Sequence, residues 1–406
     1  MCYNEKEVIK IKILLLNHFP LTGSGSGVYT QNIADSLTKA GHEVSIIMPE
    51  NEIIQSGNEH IHLYPIYFQN QEHIENSLPF NFPCFTTHPR STMAFTNLSD
   101  DQLELYIKSF DNKIKEVIDI EHPDIIHAGH IWILPSIAGK YNIPLVITAH
   151  GTDLIGYKQS KRFRHFAENA VDKAKFIITI SEENSKLVKE IFPKAQDKTI
   201  LIPNGYNSNN FYPKSVNKQE FLSSFNIKNY PKIVSFAGKF TSFKGIDLLL
   251  KAATIYENDD TATILAGNGE LFNDMQKLAK DLKLKNIYFI GNQPHDILNN
   301  LYNIADVSLV PSRNEAFGPV VIEALACGTP VIGSNNGGIP DIINNQVGLL
   351  FEPENYQDLA NKIKKVLDKD IKFDSQNIAE YAKNNYSQDN FTKQLTNIYN
   401  NAKSQK

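Results

Sequence analysis

Glu315 and Glu323 are separated by seven residues in the segment PSRNEAFGPVVIEALACGTPVIGSNNGGIP. The pattern predicts a helix that begins between them, with Pro319 in its first turn and Gly328 just past its end. Glu315 then lies in the loop before the helix and Glu323 about one turn in. The backbone N–H groups of Phe317, Gly318 and Val320 are left to meet an anion. A carboxylate accepts paired hydrogen bonds from vicinal hydroxyls, so two at this spacing suit the two polyols of a sugar diphosphate joined to a nucleoside. A plainer reading stays open, in which both are acids favoured at a helix start by the macrodipole.

Upstream, SFAGKFTSFKGIDLLLKAA places Lys239 and Lys244 in a loop between a strand and a helix. Two cations there would neutralise a diphosphate leaving group; the alternative is a pair of solvated loop lysines. In LVITAHGTDL, His150, Gly151 and Asp153 fall at the C-terminal end of a strand, the edge where a parallel-sheet enzyme keeps its working groups. His127 and His130 of HAGHIW lack a supporting carboxylate motif for zinc, and the D-x-D at Asp368 and Asp370 falls at a helix end. The expected mechanism therefore uses no metal and no cofactor.

The run GSGSGVYT asks whether a dinucleotide is bound. A dinucleotide fingerprint sets G-x-G-x-x-G directly between strand and helix. Here HFPLT intervenes, and the glycines fall at Gly23, Gly25 and Gly27. Spacing and position both fail. Glycines still let backbone N–H groups approach a ligand at the start of a helix expected near Val28, although a plain flexible connection is the alternative.

These residues need elements to hold them. A chain of 406 residues is too long for one compact core and fits two domains. Its formal net charge of -5, with lysines and arginines scattered, disfavours nucleic acid as a partner. Three cysteines, Cys2, Cys84 and Cys327, form no CxxC, so a reducing cytoplasm is expected. The first residues carry no secretory cleavage pattern, and no uninterrupted apolar run reaches the ~18 residues of a membrane span. Membrane contact is not indicated.

Short β-branched runs (IKILLLN, HEVSIIMP, DIIHAG, LVITAHG, FIITIS, ILIPNG) alternate with amphipathic stretches, the pattern of a parallel sheet covered on both faces. After PNGYNSNNFYPKSVN the pattern restarts with KIVSFAG, TATILAG, IYFIGN, DVSLVPS, TPVIGS and VGLLFEP. The fold class is therefore α/β, with two facing doubly wound domains and a ligand held in the cleft between them. Boundaries are placed at 1–209, 210–385 and 386–406, the last being a terminal helix that packs back on the N-terminal domain. Residues 53–100 are the least regular part of the first half and a candidate specificity region.

With these motifs in place, the chain resembles the retaining nucleotide-sugar glycosyltransferases of glycosyltransferase family 4, which have the GT-B fold. The resemblance covers nearly the whole length. It is carried by the E-x7-E segment, GKFTSFKG, AHGTD, IPNG before the linker, and the terminal YSQDNFTKQLTNIYNNA. It implies that Glu315 contacts the donor sugar and Glu323 the ribose. Lys239 and Lys244 would hold the diphosphate, and Phe317, Gly318 and Pro319 would bring backbone to sugar and phosphate. His150 would contact the transferred sugar, with Gly25 and Gly27 near donor and acceptor. Two positions depart from the family pattern. Lys239 stands where arginine is usual and lacks its bidentate fork, and Pro319 stands where an aliphatic residue often supplies an N–H. Retention of anomeric configuration follows from the resemblance alone, through a front-face reaction in which the departing diphosphate helps take the acceptor's proton.

The resemblance also implies a nucleotide-sugar donor, UDP-linked on family frequency, whose base lies near Gly291 and Asn292. For the acceptor, the candidates are Arg90 with Thr86, Thr87 and His88, then Arg162 and Arg164, and Asp153 at the edge of the histidine motif. A basic wall suits a phosphate or carboxylate, and a solvated helix face is the alternative. The partner expected is a small hydroxylated molecule: a saccharide, cyclitol or natural product. Two other functions stay open, a UDP-sugar 2-epimerase of the same architecture and a non-catalytic nucleotide-sugar-binding protein.

Overall fold

The computed structural model describes residues 10–54, 60–69, 74–85, 88–313, 315 and 317–405. Cys2, Thr86 and Thr87 lie outside the described residues. The chain divides into two compact units, residues 1–203 with 391–406, and residues 204–390.

The first unit is a parallel sheet of β1 (Lys12–Leu16), β2 (Glu43–Glu50), β3 (Ile61–Tyr67), β4 (Ile125–Gly129), β5 (Leu145–Ala149), β6 (Phe176–Thr179) and β7 (Thr199–Leu201). Its strand order is β3-β2-β1-β4-β5-β6-β7, a Rossmann-like order that reverses direction between β1 and β4. Side chains alternate across β1, so Ile13 and Leu15 face one layer while Leu14 and Leu16 face the other. The first layer holds the helix Gly25–Lys39 and the terminal helix Gln388–Ser404, which contributes Phe391, Leu395, Ile398 and Tyr399. The second layer holds the helix Asp100–Glu121, through Tyr106, Phe110, Ile114 and Val117. Apolar strands covered on both faces are what the near-continuous apolar runs require.

The second unit repeats the design with β8 (Lys232–Ala237), β9 (Thr261–Ala266), β10 (Ile287–Gly291), β11 (Val307–Val310), β12 (Val331–Ser334) and β13 (Gly348–Phe351). The order β10-β9-β8-β11-β12-β13 places its reversal between β8 and β11. Val234, Phe236 and Leu309 pack there with the helices Ile246–Tyr256 and Tyr356–Leu367.

The units part at Pro203/Asn204 and Asn390/Phe391, where the sequence places 209/210 and 385/386. Hydrogen bonds explain the shift: Tyr206 N–H donates to Tyr386 O (2.8 Å) and Gln388 N–H to Tyr206 O (3.0 Å). These bonds tie 204–209 and 386–390 together within the second unit. β3 is an element that the sequence reading leaves inside its irregular segment. It carries Pro65, which cannot donate to a ladder and which an edge strand tolerates, and β3 is an edge of its sheet.

Candidate active site

In an open α/β sheet, ligands bind beyond the carboxyl ends of the strands where strand order reverses. In the second unit those ends belong to β8 and β11, and the loops after them carry Lys239, Lys244 and Glu315. Lys244 closes a single 3₁₀ turn, Ser242–Lys244, and Gly245 follows it with φ +65°. A Cβ on Gly245 would stand 2.0 Å from Pro311 O, so only glycine lets the two loops touch there. Across that contact, Lys244 Nζ and Glu315 Oε2 form an ion pair, and Ser312 Oγ donates to the same oxygen at 3.2 Å. Glu315 Oε1 makes no hydrogen bond among the described residues. The Glu315 backbone is held as well: Gly338 N–H donates to its carbonyl at 2.8 Å, and a Cβ on Gly337 would come within 2.4 Å of that oxygen.

The helix expected between the two glutamates runs Pro319–Ala326, with Pro319 at its first position and Gly318 as a left-handed N-cap at φ +71°. Gly318 caps through no side chain, so the N–H of Val320 has no intrahelical acceptor. Phe317 is buried and packs near the Tyr386 ring, at 6.5 Å between centroids, so its side chain anchors the loop. Glu323 is no exposed helix acid. Burial pushes its carboxyl up to about 7, and the nearby Tyr302 hydroxyl offsets part of that rise. That hydroxyl makes no hydrogen bond of normal geometry. Glu323, Val320 and the exposed Lys239 line one open cavity of about 660 Å³ with Gly238, Asn292 and Gln293. Lys239 makes no ion pair among the described residues. Lys244 and Glu315 join each other and do not line that cavity.

In the first unit the glycine run differs from expectation. The helix starts at Gly25, earlier than Val28, because Ser24 caps it by accepting from Gly27 N–H at 3.0 Å. Gly25 and Gly27 are thus first-turn residues. A Cβ on Gly27 would meet Pro20 O at 2.1 Å, whereas one on Gly25 has nothing within 4 Å. Gly27 serves close packing, and Gly25 leaves open space.

His150 follows β5 at the expected edge, with the Tyr29 ring set edge-on at 4.9 Å. Burial lowers the imidazole to about 4, so it is neutral at working pH and acts as a hydrogen bonder without charge. Its Nε2 has no partner among the described residues. Asp153 is fully buried; its Oδ2 accepts from Ile131 N–H at 2.7 Å and ties the helix Thr152–Gln159 to the turn after β4. His127 is occupied on both ring nitrogens, by Tyr399 Oη at 2.7 Å and Thr148 Oγ1 at 2.8 Å, and so fastens the terminal helix to its sheet.

The arginines proposed for an acceptor are already held. Arg90 bonds Glu50 at 2.6 Å and Glu52 at 2.9 Å. Arg162 donates to Leu98 O (2.5 Å) and Asp100 Oδ1 (2.6 Å) at the start of the helix Asp100–Glu121. Arg164 donates to Tyr157 O and Lys158 O at the end of the preceding helix, Thr152–Gln159, and lies over the Tyr157 ring. Carboxylates offset the charge of Arg90 and Arg162 that an acceptor wall would need, while carbonyls and a ring fix the direction of Arg164. Sequence reasoning also missed Ser312 and Tyr29: the first stands three residues before Glu315, and the second signals nothing until β5 is folded beside it.

Residues 217–385 match the family model described as glycosyl transferases group 1, and residues 23–210 match that of glycosyltransferase family 4. An uncharacterized glycosyltransferase of Methanocaldococcus jannaschii is 27% identical over 96% of this chain and 98% of its own. A D-inositol 3-phosphate glycosyltransferase of Corynebacterium aurimucosum is 25% identical over 89% of this chain and 88% of its own. Among solved structures, sucrose-phosphate synthase from Thermosynechococcus elongatus is similar with a TM-score of 0.72, 20% identity, and coverage of 97% of this chain and 100% of that one. Anabaena HepE in complex with UDP is similar at TM-score 0.73, 16% identity, and 96% and 100% coverage.

Proposed function

We propose that this chain, a glycosyltransferase of the EC 2.4 class with GT-B architecture, moves a hexosyl or N-acetylhexosaminyl group from a UDP-linked sugar to a hydroxyl of a small acceptor, with retention. The observation that carries this reading is the Lys244–Glu315 pair, which leaves Glu315 Oε1 able to accept from a donor-sugar hydroxyl. Lys244 meets the leaving diphosphate beside that carboxylate, and Lys239 adds charge from the cavity wall. Together with the Val320 N–H they stabilise charge as it grows on the leaving group, so the reaction is read as metal-independent. Glu323, on the same wall, takes the ribose. Neutral His150 bonds a hydroxyl of the transferred sugar through Nε2.

The UDP assignment is supported by the HepE neighbour, which was solved with UDP. The acceptor class is a saccharide, cyclitol or natural product, and the relative named for D-inositol 3-phosphate favours a cyclitol. No helix among the described residues is long and apolar enough to cross a membrane. The test is proton NMR of the product formed from α-linked UDP-sugars with cyclitol and saccharide acceptors. An α-anomeric signal is expected; a β-anomeric product overturns retention, and release of a free 2-epimer overturns transfer.

A further inference from the structure

Beyond the groups assigned to the donor, one side chain joins the two loops that carry them. Arg313 lies two residues before Glu315. Its backbone N–H donates to Phe243 O at 2.7 Å, and Nη1 donates to Ser242 O at 2.8 Å. Both acceptors belong to the two residues just before Lys244. The guanidinium also forks onto Asp247, with Nη1 to Oδ1 at 2.8 Å and Nη2 to Oδ2 at 2.9 Å, at the start of the helix Ile246–Tyr256. A second fork reaches Glu354 through Nε at 2.7 Å and Nη2 at 3.0 Å. All three nitrogens are engaged, and two carboxylates face one cation. Bidentate pairs of this kind fix direction as well as distance, which a lysine would not.

We infer that Arg313 is a positioning residue for the reaction: it locks the Lys244 turn to the loop of Glu315, so that the cation and carboxylate are set before the donor arrives. The inference rests on the donor reading proposed for Lys244. Scaffold stability alone would be served by any one of these bonds, whereas two of the six end on Ser242 and Phe243, directly before Lys244, and two more on Asp247, three residues after it. An isolated part-exposed ion pair contributes only about 0–1 kcal/mol, so the network's larger effect is to hold that turn in one conformation. Preorganised charge of this kind loses its worth with small displacements.

The test is a double-mutant cycle read by UDP affinity in calorimetry, on the full chain. Arg313→Ala is expected to weaken UDP about 10-fold in the parent and less than about 2-fold in the Lys244→Ala background, because its effect runs through that lysine. Arg313→Lys recovers part of the affinity. Asp247→Asn leaves the arginine in place and repeats the measurement if Arg313→Ala folds poorly; a loss of about 3-fold, again confined to the Lys244 background of the parent, is expected. Equal losses in both backgrounds, or parent-like UDP affinity in Arg313→Ala beside a loss in Lys244→Ala, overturn the inference and leave the donor reading standing. Parent-like UDP affinity in Lys244→Ala overturns the donor reading and the inference with it.

Discussion

Lys244 and Glu315, 71 positions apart in the chain, are joined as an ion pair, and their loops leave strands that flank the strand-order reversal of the second unit. Neither side chain is fully buried, at 24% and 12% exposure, so the pair adds little to folding. Glu315 Oε1 beside the pair makes no hydrogen bond among the described residues, which leaves it open to a donor-sugar hydroxyl.

Lys244→Ala and Glu315→Ala are each expected to cut transfer at least ~100-fold, the loss of one transition-state contact. Thermal midpoints should move by no more than about 4 °C, since a part-exposed pair contributes about 1 kcal/mol or less. Parallel collapse of stability and activity would assign the pair to the scaffold.

For Glu323 the pH dependence has a defined sign. Burial raises the folded carboxyl to about 7 from its ordinary 4.5, so the native state holds the proton more tightly than the unfolded chain. Stability is therefore lost as pH climbs from 4.5 to about 7, and the penalty above that is on the order of 3 kcal/mol or less. Glu323→Gln should melt higher than the parent at pH 8 while binding donor less well. Parent donor affinity should rise between pH 6 and 8, as the carboxylate forms to accept both ribose hydroxyls, and the glutamine variant should show a flat profile. A glutamine variant that melts lower at pH 8 contradicts the buried charge.

His150 should titrate nowhere near neutrality, because burial lowers it to about 4. His150→Ala is expected to cut transfer at least ~100-fold while leaving the shape of the pH–rate profile between pH 5.5 and 8 unchanged. Loss of an inflection near 6.5 in that variant would show a titrating imidazole instead.

The two glycines of the first helix separate packing from ligand approach. Gly27→Ala drives a methyl toward Pro20 O, 2.1 Å away, and should cost more than about 2 kcal/mol in thermal or urea unfolding. Gly25→Ala meets nothing within 4 Å and should unfold as the parent does, so any fall in its turnover reports on a ligand.

Strand periodicity made both sheets legible, since β-branched runs between amphipathic stretches leave few alternatives to doubly wound units. β3 escaped because Pro65 breaks the pattern, and a lone edge strand tolerates what a central one rejects. The helix Pro319–Ala326 was readable from Pro319 and Gly328, whose positions have local causes. Arg313 and Ser312 were not, because their partners lie on another loop or one turn away and take meaning only once β8 and β11 are neighbours. The same distance hid His127, whose hydroxyl partner is Tyr399, 272 positions on, and it hid the carboxylates that engage Arg90 and Arg162.

The most direct measurement is nucleoside diphosphate release from UDP-, GDP-, ADP- and dTDP-sugars by the full chain with EDTA present. Slow release from one UDP-sugar is expected, unaffected by the chelator and accelerated by a hydroxylated acceptor. No release and no binding of any nucleotide sugar, or release that the chelator abolishes, would contradict the proposed metal-independent transfer.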